Sequence, residues 1–296
     1  MGQTDTTTSS GNERYQRFIE QIDNLPALPA IVSRLIKIVN SSDTSAEDAA
    51  KLIQKDPALT TKMLRLANSA FYGIPRSISS VSSAVVILGF NTIRSLVLSA
   101  AVMKMFSTSS KPAIDRDAFW KHSIVCALGA KAIIRQFINI RMMDPESAFC
   151  AGILHDIGKL IFSEFITEDY RDVCAHARKK GIPVIEAEQE ILGINHAEIG
   201  RILADKWALP LDLEYALVFH HDPSGADSLL DLVTTVHMAN VITHEVGMGV
   251  WEDEVCTEEW KGARSVLRMS DLDYDQIVSS LRENIDKSNE FFDIIK

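Results

Sequence analysis

Apolar residues recur along this chain at three- and four-residue spacings, and stretches that alternate with a period of two are few. β-Branched residues do not cluster between turn signals, so the pattern expected of strands is missing. Leu59, Met63, Leu66, Ala67 and Phe71 fall near one helical face, and Asp56-Pro57 supplies an N-cap and a proline at the first helical position. Gly73 is expected to end that helix. Ser45 stands three residues before Asp48, which predicts a capping-box start. Gly89 closes a further helix and Asn91 caps the next; Asp144-Pro145-Glu146 opens one that runs through the His155 region. Gly181, Gly193 and Pro210 punctuate the remainder. The pattern predicts an all-α protein, a multi-helical bundle of many short helices.

Residues 1–14 read as a disordered tail, because they are Thr-, Ser- and Gly-rich and nearly without apolar groups to offset the cost of ordering. A Ser- and Pro-containing stretch at 106–115 separates an N-terminal helical lobe, 15–106, from a central lobe, 116–247. An acidic C-terminal extension, 251–296, follows. Its last helical pattern places Ile277, Leu281, Ile285 and Phe292 near one face and is expected to pack on the body or on a partner. The acidic run that opens the extension reads as a solvated face.

With 46% hydrophobic and 24% charged residues in 296, the chain can bury a sizeable core unaided, so a bound metal would serve function rather than folding. The formal charge of −10 argues against non-specific nucleic-acid binding and against an anionic membrane surface. A small anionic ligand held by a metal or a local Lys or Arg stays open. Cys126, Cys150, Cys174 and Cys256 show no CxxC spacing and read as small hydrophobes in a reducing compartment. The start lacks a signal-peptide pattern. The most apolar region, 84–103, is interrupted by Gly89, Asn91 and Arg94, which suits buried helices rather than a membrane span. A cytoplasmic protein is expected.

Seven of the eight histidines lie after residue 150, the exception being His122. Taken singly, each reads as a satisfied core or surface histidine, and His176, His237 and His244 are left with that reading. The order His122, His155-Asp156, His196, His220-His221 is different. Imidazole and carboxylate are the ligands preferred by divalent iron, manganese and zinc. An adjacent His-Asp pair can converge on one ion, and the carboxylate can bridge two. Lys159, at the end of the string His155-Asp156-Ile157-Gly158-Lys159, could neutralise a phosphate; its simpler reading is a solvated helix-end cation. Asn68 and Ser69 read as helix-end caps, and Arg94 as the structural partner of a buried carboxylate.

This order resembles that of the HD phosphohydrolase superfamily. Leu25-Pro26-Ala27-Leu28-Pro29, Gln54-Lys55-Asp56-Pro57-Ala58-Leu59 and Leu66-Ala67-Asn68-Ser69-Ala70-Phe71-Tyr72 narrow the resemblance to the HDOD family, together with residues 82–90 and Trp207-Ala208-Leu209-Pro210. The resemblance implies an HD-like helical bundle used in bacterial signal transduction, in which many members have lost their metal-binding residues and a defined reaction is generally lacking. This chain keeps most of them. By comparison with the related HD-GYP phosphodiesterases, Asp156, His196, His220 and His221 match one complete metal subsite. His122, His155 and Asp156 match the other, whose last carboxylate falls at Asn240. Ala118 stands where a glutamate is expected one turn before the first histidine, and Asp222-Pro223-Ser224-Gly225 replaces the HD-GYP loop motif.

The expectation is therefore a bacterial HDOD signalling module, regulatory rather than catalytic, that holds a divalent transition metal and works through other signalling proteins. The alternative is a metal-dependent phosphodiesterase or phosphatase acting on a nucleotide or cyclic dinucleotide, with Lys159 on the phosphate. A third reading is a cyclic-nucleotide sensor without turnover.

Overall fold

A computed structural model describes residues 27–39, 45–69, 72–106, 111–136, 143–251, 254–256 and 258–296. The chain is all-α, with no strand among the described residues. The N-terminal layer comprises α1 (Ala30–Val39), α2 (Ala46–Ile53), α3 (Pro57–Ala67), α4 (Val81–Leu88) and α5 (Phe90–Met105). The central layer comprises α6 (Arg116–Gln136), α7 (Pro145–Leu154), α8 (Ile157–Phe165), α9 (Thr167–Lys180), α10 (Val184–Leu192), α11 (His196–Trp207), α12 (Leu211–Phe219) and α13 (Leu230–Glu245). Then follow α14 (Ala263–Leu267), α15 (Asp271–Glu283) and α16 (Ile285–Ile295). The expected tail at 1–14 and most of the Ser-rich part of the 106–115 break lie outside the described residues.

Local chemistry accounts for most boundaries. The Ser45–Asp48 capping box starts α2. Asp56 accepts the Leu59 N–H at 3.0 Å ahead of Pro57 and starts α3. That helix stops at Ala67, not near Gly73. The Asn68 side chain donates to the carbonyls of Leu64 and Ile78 at 2.7 and 2.8 Å and accepts from the Ile78 N–H at 2.7 Å, so it both ends the helix and ties down the loop beyond it. Gly73 only turns that loop, at φ +59°. Asn91 does not cap α5: Gly89, at φ +84°, closes α4 and opens α5 by itself. The two helices bend by 117° there, and among the described residues no single helix is long and apolar enough to cross a membrane. Arg94, buried in α5, reaches Asp212 at 3.5 Å and the Ser147 hydroxyl at 3.0 Å, the structural role expected of it.

α6 is the central post. It packs on α7 and α13, and on α15 and α16 from the C-terminal extension. α5 packs on α7, and α16 also reaches α3 and α5. One cluster of buried apolar residues consequently runs from Leu28 to Ile295. Two glycines set its closest approaches. A Cβ on Gly152 of α7 would lie 2.6 Å from the Ala127 Cα of α6. A Cβ on Gly158 of α8 would lie 2.1 Å from the His196 carbonyl oxygen at the start of α11. Those contacts bring α6, the α7–α8 junction and the start of α11, and with them His122, His155, Asp156 and His196, to one point.

Candidate metal centre

The helix expected to run through His155 breaks there instead. α7 ends at Leu154, His155 and Asp156 occupy the turn, and α8 begins at Ile157. This turn sends the Asp156 carboxylate into the middle of the central layer, where it is fully buried. Four imidazoles surround it. His196 and His220 place Nε2 at 3.2 and 3.3 Å from Oδ1. His155 and His122 place Nε2 at 3.3 and 3.7 Å from Oδ2. His221 lies beside His196, with their Nε2 atoms 2.8 Å apart. The ligand atoms form two groups that share Asp156: Asp156, His196, His220 and His221 in one, and His122, His155 and Asp156 in the other. All the histidines expected at the site converge.

The outer nitrogens determine what the inner ones can do. The Nδ1 atoms donate to backbone carbonyls: His122 to Met248 at 2.8 Å, His155 to Gly152 at 2.8 Å, and His220 to Ala216 and Leu217 at 3.0 Å. A carbonyl only accepts, so the proton belongs on Nδ1, and in the neutral ring the Nε2 lone pair faces inward. Lone pairs aimed at a carboxylate repel it unless a cation lies between them. The buried Nε2 atoms of His122, His155 and His220 and the Asp156 Oδ1 atom have no hydrogen-bond partner, and Asp156 Oδ2 is met by the Lys159 ammonium at 2.8 Å. Such polar atoms are costly to bury, and a divalent ion would satisfy them together. The donor set fits a metal.

The ionisation of the metal-free protein is consistent with this. Burial pushes His220 down to about 3, and pushes His122 and His221 well below the usual imidazole range. His155 and His196 move up, because the charge of Asp156 on the first and of Glu188 on the second outweighs burial. Burial opposes the charge on Asp156 as well, but His155 and Lys159 hold the carboxylate well below its usual range. Protons on neighbouring groups thus stand in for a cation.

Three further groups complete the surroundings, and the sequence assigned none of them to the site. Glu188 is fully buried on α10; one oxygen accepts from the His196 backbone N–H at 2.8 Å and Nδ1 at 2.6 Å, the other from the Tyr170 hydroxyl at 2.8 Å. Its signal was a charged residue one turn from Val184 on the apolar face of that helix. His244 lies tilted against His122, with ring centroids 5.0 Å apart and planes at 59°. Glu254 belongs to the acidic run read as solvated, yet its side chain is 3% exposed and faces Lys159 at 3.4 Å. Lys159 is likewise no solvated cation: it is buried, 2.8 Å from Asp156 Oδ2. Asn240 is buried one turn from both His237 and His244, and its Oδ1 has no partner. His237 is a satisfied core histidine, Nδ1 on the His220 carbonyl and Nε2 on the Trp260 N–H. His176 pairs with Glu190 near the surface.

The HDOD domain family model matches residues 25–223. An uncharacterized protein from Treponema pallidum (strain Nichols) is 26% identical over 223 residues, 75% of this chain and 42% of that protein; the chain thus spans less than half the length of this curated relative. Among solved structures, an HDOD domain protein of unknown function from Geobacter sulfurreducens superimposes with a TM-score of 0.79 at 27% identity, over 98% of this chain and 99% of its own. A protein from Shewanella amazonensis SB2B, provisionally described as a phosphohydrolase, gives a TM-score of 0.73 at 25% identity over 95% and 98%.

Proposed function

The chain belongs to the HDOD domain family, and from that premise we propose that it is a regulatory signalling module built around a divalent transition-metal centre rather than a working hydrolase. The observation that carries this is the convergence of four inward-facing Nε2 atoms on one buried carboxylate, whose ammonium neighbour at hydrogen-bond distance is Lys159 on Oδ2. Asp156 would bridge the two subsites, with His196, His220 and His221 on one side and His122 and His155 on the other. Iron, manganese and zinc suit this set of nitrogen and oxygen donors. Asn240 weakens the second subsite, since a neutral amide brings no charge. The closed burial of the centre also suits a state-reporting role better than turnover. Partners would be other signalling proteins in the bacterial cytoplasm, recognised through the N-terminal layer.

Metal analysis of anaerobically purified protein tests the proposal. The native chain is expected to retain iron, manganese or zinc, and Asp156→Ala to lose it; unchanged metal content in that variant refutes the centre.

A second reading, a phosphohydrolase, has one observation in its favour: the complete Asp156, His196, His220 and His221 group with Lys159 beside it. When bound, the metal would supply Lewis acidity toward a phosphoryl group. Lys159 would hold a phosphate oxygen, and Glu188 would keep His196 oriented. Rapid metal-dependent hydrolysis of a cyclic dinucleotide by the native protein would establish this reading. Slow or absent turnover is expected, with an increase in Asn240→Asp.

A further inference from the structure

The loop that follows α13 touches the centre at several points. Its Met248 carbonyl accepts from His122 Nδ1 at 2.8 Å. Gly249 lies against His244, where a Cβ would stand 3.3 Å from Nδ1. Glu254 reaches inward: one oxygen accepts the Val250 N–H at 2.7 Å, and the other faces Lys159 Nζ at 3.4 Å. Lys159 is therefore held between two carboxylates, Asp156 behind it and Glu254 in front. Glu254 is not part of either group of converging ligand atoms. It also lies beyond residue 223, where the family match ends.

His122, His155, Asp156, His196 and His220 are all 0% exposed, and Lys159 is 2% exposed. A ligand that is to meet both Lys159 and the metal face must first displace something. The helices around the centre are locked by backbone contacts at Gly152 and Gly158. Among the described residues the loop is held by backbone hydrogen bonds, by Val250 in the apolar core and by Trp251 under the Arg178 guanidinium, at 5.2 Å, and no backbone lock of the Gly152 or Gly158 kind fastens it to the helices.

We propose that Glu254 is an internal carboxylate plug, occupying the place on Lys159 that the phosphate group of a ligand takes when this loop opens. A phosphate carries more charge than a carboxylate and has more acceptor oxygens, so it can displace Glu254 from the ammonium where a neutral ligand cannot. The position of the ligand's phosphate beside the metal rests on the reading given above; the pairing of Glu254 with Lys159 does not.

The test uses the full chain, manganese-loaded and metal-free, with inorganic phosphate as the probe. Cys256, two residues past Glu254, is a built-in reporter of the loop. It is half-buried, while Cys126, Cys150 and Cys174 are buried. Burial pushes its thiol up to about 12, so it is expected to alkylate slowly while the loop is closed. Phosphate is expected to speed maleimide labelling of Cys256 severalfold in the native protein. Glu254→Gln is expected to bind phosphate about tenfold more tightly by calorimetry, with unchanged metal content. Adding Lys159→Met should abolish that gain. Equal phosphate affinity in native and Glu254→Gln protein, or labelling indifferent to phosphate, overturns the plug. So does loss of metal in Glu254→Gln, which would make Glu254 a ligand. If the native chain takes up no metal but metal-free Glu254→Gln still gains Lys159-dependent phosphate binding, the metal centre is refuted and the plug stands.

Discussion

His122, His155, His196 and His220 each have one nitrogen committed outward and one left inward, and this division gives the residues around them distinct roles. Glu188 fixes His196 through Nδ1 and raises the basicity of the ring, as a carboxylate behind a ligating histidine does. Glu188→Gln keeps the shape but removes the charge, and a drop in metal affinity of about 10–100-fold is expected, read by competition with a chelator. The metal-free protein should also be sensitive to acid, and the sign follows from two sets of histidines. His155 and His196 lie above their ordinary value of 6.5, so their contribution is complete below pH 6.5 and is lost only as pH rises through their folded values. His122, His220, His221, His237 and His244 lie below it, chiefly through burial, so the unfolded chain takes up protons there before the folded one does. Of these two sets, only the second changes stability between pH 6.5 and about 5, and it lowers it; below about pH 5 the depressed carboxylates of Glu190 and Asp156 add in the same direction. Urea midpoints of metal-free protein should fall steadily over that window; a flat profile would contradict the buried, neutral state of those rings.

Among the elements, the break between α7 and α8 matters most. A continuous helix would carry Asp156 around its own cylinder, whereas the turn at His155-Asp156 points it at α11 and α12. The break works only because Gly158 lets α8 lie against the first residue of α11. Gly158→Ala would drive a Cβ into the His196 carbonyl, a backbone atom that cannot swing aside as a side chain can. Overpacking of this kind costs about 1–3 kcal/mol, and the displacement falls on a residue of the proposed metal centre. A lower melting temperature together with reduced metal content is expected; a lower melting temperature with full metal content would mean that α11 shifts without disturbing the centre. Gly89 is a milder case. Nothing stands within 4 Å of a Cβ there, so Gly89→Ala meets only the strain of φ +84°, about 1–3 kcal/mol, with metal content unchanged.

At the scale of the whole molecule, α16 links the C-terminal extension to the first layer. Phe291 is fully buried and meets Phe149 edge-on at 5.6 Å, tying the extension to α7, the helix that ends just before His155-Asp156. Phe291→Ala is expected to cost about 3–5 kcal/mol and to lower one shared urea transition. Two separate transitions, with only one moved, would show that the layers unfold independently. The helical class, the caps at Ser45, Asp56 and Asp144, and the identity of the converging histidines were legible in the sequence, because they depend on residues a few positions apart or on a distinctive order along the chain. Ser45, Asp56 and Asp144 act on N–H groups two or three residues away, so no distant contact can override them. Lys159, Glu188, His244 and Glu254 were different. A charge near a helix end and an acid in a polar run have the same local appearance whether water or a buried partner faces them, and only packing between segments as far apart as 159 and 254 distinguishes the two. The sequence alone determined the helical class, several helix starts and which side chains could ligate. The tertiary structure decided which way the Nε2 atoms face, which carboxylates lie behind them and which loop covers them, because these depend on contacts between residues distant in the chain.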